Sequence, residues 1–175
     1  MDSSENPCEI RAALCFITDK AEFLLRLKEV SRQFQAHIIC FNADMLAGRR
    51  HAEMAVYHAV RSFERGDSIS NTLEMEALLY AAGSRQCNVG ASFGIHNGEN
   101  HLWICCIPSP EGVWQALERE FSFLQDNSWD QINGEKRDLL MKLFRIPQTE
   151  LASLESPCRI RDLVLERVAL LEVLR

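Results

Sequence analysis

The chain has 175 residues and a formal net charge of −6, with 47% hydrophobic and 25% charged residues. That size buries a substantial core without metal or disulfide support, and the composition excludes intrinsic disorder, so one globular domain over residues 1–175 is expected. No apolar run reaches the length of a membrane span, Met1 to Pro7 is acidic and polar, and the negative balance excludes a surface that coats itself in nucleic acid while leaving room for a small local RNA site.

Cys8 to Ile17 alternates loosely and becomes continuously apolar from Ala12, which predicts a buried strand. Phe23, Leu24, Leu27, Val30 and Phe34 recur at helical spacing, so Lys20 to Gln35 is an amphipathic helix with Thr18 or Asp19 as cap. HIICF, at 37–41, is a second strand ending in a turn at Asn42 to Asp44. Arg49 to Arg65 is the clearest helix: Ala52, Ala55, Val56, Ala59, Val60 and Phe63 form a narrow stripe of mostly small residues suited to close packing.

The densest run of local signals is Asn71 to Ile95. Asn71 is placed to cap a helix, Glu74 stands in the capping-box position, and Gly83 supplies the left-handed residue that closes it. That helix delivers Ser84, Arg85 and Gln86 to a turn before a second short segment ending at Gly94. His101 to Ile107 is a third strand, stopped by Pro108 and Pro110. Val113, Ala116, Leu117 and Phe121 mark the next helix, Asp126 to Gly134 a polar loop, Glu135 to Phe144 a further helix and Ile160 to Leu174 the last. The resulting fold class is mixed α+β: three to five strands in a small, mostly antiparallel sheet packed by about six helices.

Catalytic signatures are missing. HAEMA at His51 lacks the second histidine of a metalloprotease helix, no phosphate-cradling glycine loop or nucleophile elbow occurs, and Glu74 and Glu76 point in different directions on one helix. The seven cysteines form no C-x-x-C pair, and their odd number fits buried thiols better than a disulfide framework. Cys105 and Cys106, adjacent in a strand, face opposite sides. No cofactor or metal is expected.

Two features remain. Ser84, Arg85 and Gln86 stand near Asn71 and the arginines of the preceding helix; either Arg85 pairs with Glu76 and Gln86 ties off a helix end, or the group contacts an anion or nucleotide. In the terminal helix, Leu163, Val164, Val168, Leu171 and Leu174 form one broad band with Leu165, Ala169 and Val173 outside it, an apolar excess that suggests a protein partner.

The run E-x-L-L-Y-x-x-G-x-R-Q from Glu76 to Gln86, followed by Phe93-Gly94-Ile95, resembles the small kinase-binding subunit of the KEOPS tRNA-modification complex, the TPRKB-like family. FNADMLAGRRH at Phe41 to His51 and LERVALLEV near the end are similar to that family's segments in the same order, so the resemblance covers Cys40 to Ile95 and Pro157 to Leu174. It implies a non-catalytic cytoplasmic subunit that binds the complex's atypical kinase/ATPase, associates indirectly with the threonylcarbamoyl-transferase subunit, and grips the 3′ CCA end of tRNA during threonylcarbamoylation of adenosine 37. On this basis Arg85 and Gln86 match the R-Q motif, Asn71, Arg49, Arg50 and His51 are its neighbours in RNA binding, and Leu163, Val164, Val168 and Leu171 make the kinase contact. The chain departs from the family at Cys87, where a bulky aliphatic residue is usual, and at Gly90, which interrupts what should be a helix and implies a looser segment. A small enzyme using Cys87 beside Arg85, or a structural adaptor without RNA contact, are the competing readings.

Overall fold

The computed structural model describes residues 8–152 and 158–174; the polar start at Met1 to Pro7 and Pro157 of the C-terminal matching segment lie outside the described residues. In chain order the elements are β1 (Glu9–Ile17), α1 (Lys20–Phe34), β2 (His37–Asn42), α2 (Arg49–Arg65), α3 (Leu73–Ala82), α4 (Cys87–Ser92), β3 (Gly98–Ile107), α5 (Val113–Leu117), β4 (Ser122–Phe123), α6 (Gly134–Leu143), α7 (Gln148–Ala152) and α8 (Arg159–Val173).

The four strands order as β2-β3-β1-β4, and every pairing is antiparallel. β1 and β2 therefore run parallel, joined through α1, with β3 inserted between them. Both faces of the sheet are covered. Ile10, Ala12, Ile39, Phe41, Trp103 and Cys105 face the layer of α2, α3, α6 and α8. Ala13, Ile17, Ile38, Leu102, Ile104 and Cys106 face α1 and α5. Cys105 and Cys106 thus enter opposite cores, as strand alternation requires.

The described residues contain eight α-helices, more than the six expected. The additions are the six-residue α4, which forms the short segment expected to end at Gly94, and the five-residue α7 directly after Pro147, both too short to show a periodic stripe. The helix expected to reach Phe121 stops at Leu117, because the chain turns to bring Phe121 edge-on to Phe23 of α1, at 5.6 Å between ring centres, and then to pair β4 with β1.

Within the Asn71 to Ile95 run the cap lies one residue later than expected. Thr72, not Asn71, receives the helix-start N–H, with its hydroxyl accepting from Met75 at 3.3 Å. Glu74 does not close a capping box; its carboxylate meets His37 Nδ1 at 2.8 Å. Gly90 also acts differently from the expected break. It lies inside α4, buried, where an added Cβ would stand 2.9 Å from Leu79 Cδ2 and 3.3 Å from the Leu79 backbone nitrogen. The glycine lets α4 press onto α3 instead of loosening the segment. Gly90→Val should therefore lower stability by about 2–3 kcal/mol through overpacking, read as a reduced urea midpoint at unchanged slope.

Candidate partner and nucleic-acid interface

α2 and α3 lie antiparallel, cross-tied at both ends. At one end His51, in the first turn of α2, reaches the last turn of α3: its Nδ1 accepts from the Ala47 N–H at 3.0 Å, which leaves the proton on Nε2 to donate to the Ala81 carbonyl at 2.9 Å. At the other end the Glu76 carboxylate, fully buried, accepts from the Ser62 hydroxyl at 2.8 Å and from the N–H groups of Ile69 at 3.1 Å and Ser70 at 2.7 Å. Glu76 is thus held by a serine and by the approach loop to α3.

This arrangement sorts the residues singled out for RNA contact. Arg49 and Arg50 begin α2, and Ser84, Arg85 and Gln86 leave α3, so the His51 to Ala81 bond brings all five to one end of the helix pair. Asn71 precedes α3 and sits at the opposite end, roughly 15 Å away by the rise of a ten-residue helix. His51 is completely buried, and burial pulls its pKa down to about 4, so it is a neutral clamp between helices and cannot touch a nucleic acid from that position. His58 is buried against α8, with Nδ1 2.7 Å from Glu172.

The arginines differ in availability. The N–H of Arg49 donates to Asp130 at 2.8 Å, its guanidinium pairs with Glu53 at 3.0 Å, and it lines a polar cleft of about 450 Å³ shared with Glu118, Asp126 and Asp130. That cleft is a poor home for phosphate. Arg50, Arg85 and Gln86 are exposed, and among the described residues their side chains have no hydrogen-bond or ion-pair partner. A further cation arrives from a distant part of the chain. Phe144 packs edge-on against His51, with ring centres 5.5 Å apart, and lies beneath Gly83, so the exposed Arg145 that follows it is delivered to the same end. Arg145 adopts a left-handed conformation with φ of 52°. No periodicity or motif in the sequence marks it; only the packing of its neighbour does.

The end of α2 that carries these groups is fixed from α8. Arg161 donates from Nε to the Ala47 carbonyl and from its terminal nitrogen to the Asp130 carbonyl, both at 2.8 Å. Gly48, with φ of 100°, has no room for a side chain there: a Cβ would stand 2.5 Å from Asp130 Oδ1.

The structure turns α8 over relative to the expected partner face. Leu163, Val164, Val168 and Leu171, the band proposed for the kinase contact, are between 0% and 6% exposed and belong to the chain's own core. The side left to solvent carries Leu170, Val173 and Leu174, at 42%, 77% and 70% exposure. Glu172, between them, pairs with Arg65 and approaches His58 of α2, and the Arg65 guanidinium foremost holds its carboxyl below the usual range.

Cys87 opens α4 and is exposed, with no hydrogen-bonded base beside it among the described residues. No described helix is long and apolar enough to cross a membrane.

Residues 15–172 match the family model described as kinase binding protein CGI-121. The chain is also similar to a protein of Methanocaldococcus jannaschii described as regulatory protein Cgi121, with 26% identity over 133 residues, covering 75% of this chain and 81% of that protein. Because the family match spans nearly the whole chain, including the α2–α3 pair and α8, the chain belongs to the CGI-121 family of kinase-binding proteins.

Proposed function

We infer that this protein is a non-catalytic, cytoplasmic subunit of a KEOPS complex, binding its atypical kinase/ATPase and, at the joined ends of α2 and α3, the 3′ CCA end of tRNA during t6A37 formation; the transferase subunit is reached through the kinase. The observation that carries the RNA half is the gathering of Arg50, Arg85 and Arg145, all exposed, with Gln86 beside them. Three guanidinium groups and an amide that have no partner among the described residues suit a short single strand, whose phosphates and base edges they can fork, while the acidic remainder disfavours longer tracts. The kinase half rests on family membership and on the exposed apolar end of α8.

One experiment tests both halves. Titration of labelled tRNA, intact or lacking its 3′ CCA, should show at least tenfold tighter binding of the intact form, and Arg85→Glu should remove that difference and shallow the salt dependence by about one phosphate contact. Equal binding of both tRNAs would leave an adaptor without RNA contact. In the same preparation Val173→Glu should weaken association with the cognate kinase at least tenfold with unchanged thermal stability, since Val173 is 77% exposed. Undiminished association would move the kinase contact off α8. A Val168→Glu change would be uninformative, because Val168 is fully buried and the variant would unfold.

A further inference from the structure

β2 is an edge strand, hydrogen-bonded only to β3 within the sheet. The Asn42 N–H points away from β3, donating to the Phe93 carbonyl at 2.7 Å. Because backbone polar groups alternate sides along a strand, those of Cys40 and Ile38 point the same way. An added Cβ on Gly94 would stand 3.8 Å from the Cys40 carbonyl oxygen, which agrees with that direction. Among the described residues nothing completes the outward pairs of Ile38 and Cys40.

This free edge opens into an apolar groove of about 410 Å³. Its walls come from opposite layers: Leu24 and Leu27 from α1 beneath the sheet, Met75 and Leu78 from α3 above it. A space that touches both layers and β2 together lies beyond the strand's edge, in the position a fifth strand would occupy. Lys20 and Lys28 line the α1 wall. Eight residues apart on one helix, they stand about 12 Å apart along the groove, the length of roughly four extended residues. The acid in the opposite wall, Glu74, is engaged by His37.

We propose that the β2 edge is a second docking site, which takes an extended segment of a partner protein as a fifth strand between α1 and α3. The geometry specifies the segment. Its backbone meets the outward groups of Ile38 and Cys40; its side chains face apolar walls on both sides, so it is a short continuous β-branched run instead of an alternating one; and acidic residues about four apart flank it, opposite Lys20 and Lys28. Main-chain bonds supply affinity and the two lysines set register. The site is separate from the arginine cluster and from the exposed face of α8, and it does not depend on the tRNA or kinase reading.

The test uses the full chain and a fluorescein-labelled synthetic peptide of three β-branched residues between two glutamates, followed by anisotropy and by amide NMR. Saturable binding is expected, with the largest shifts at the Ile38 and Cys40 amides. Methylating alternate peptide nitrogens on the bonding side should weaken it at least tenfold, and Lys28→Glu, a change at an exposed position, should weaken it severalfold without altering the free protein's spectrum elsewhere. Any of three results overturns the proposal: no saturable binding, binding indifferent to N-methylation, or a homodimer through β2 that the peptide cannot displace.

Discussion

Replacing His51 by leucine should lower stability at pH 7 by about 3 kcal/mol, and most of that loss should vanish by pH 4.5. The first part follows from the bonds. Leucine fills the space but leaves the Ala47 N–H and the Ala81 carbonyl without partners in the interior, at about 1–3 kcal/mol each. The second follows from proton linkage. Burial lowers the folded-state pKa of His51 from its ordinary 6.5 to about 4, so between these values the unfolded chain binds the extra proton and the folded chain does not. The contribution of His51 is therefore fully present above about pH 6.5, declines as pH falls toward 4, and changes no further below that. A shift of this size corresponds to about 3 kcal/mol. His58, whose pKa is lowered mainly by burial, contributes with the same sign, and His101, raised by Asp44 and Glu99 against its own desolvation, with the opposite one, so the informative quantity is the difference between wild type and variant across pH. A constant difference from pH 7 to 4.5 in denaturant titrations would show that His51 is not the buried neutral clamp.

Glu76→Ala should be of similar size, about 3 kcal/mol or more, and should act on the opposite end of the helix pair. The carboxylate accepts three bonds, and removing it leaves the N–H groups of Ile69 and Ser70 without their acceptor, while the Ser62 hydroxyl keeps the Ala59 carbonyl at 2.9 Å. The loop from Asp67 to Thr72 should loosen first, so amide exchange at Ile69 and Ser70 should accelerate well before global unfolding. Glu76→Gln should recover part of the loss, since its amide oxygen can still accept. If Glu76→Ala unfolds with a wild-type midpoint, the loop is held by other contacts.

The elements that could be read in the sequence are those whose signal is local. Phe23 and Leu27 of α1 sit in a helical period and are buried where that period places them. α2 begins and ends at the residues its stripe of small side chains indicates, because alanine spacing reports close packing directly. The site was harder, for physical reasons that differ by residue. His51 adjoins two arginines in sequence, yet its fate depends on Ala81, thirty residues on, and one helical step separates an exposed side chain from a clamp. The apolar band of α8 was visible, but hydrophobicity does not say whether a face meets its own core or another protein; packing against α2, α3 and α6 took the richer side and left Leu170, Val173 and Leu174 outside. Arg145 joins the cluster only through Phe144. The choice of Thr72 over Asn71 as cap lies within the ordinary uncertainty of a helix start, since both side chains can accept the bond.

The insertion of β3 between β2 and β1 has a consequence for synthesis. When a ribosome has released the chain only through α4, β1 and β2 are both present, but the strand that must separate and pair with them is still to come. Until Gly98 to Ile107 emerges, neither of the two cores has its central wall, and the apolar stripes of α1, α2 and α3 have no sheet to close on. Such a nascent chain exposes two unpaired β-branched strands at once, a state in which a holding chaperone would matter most.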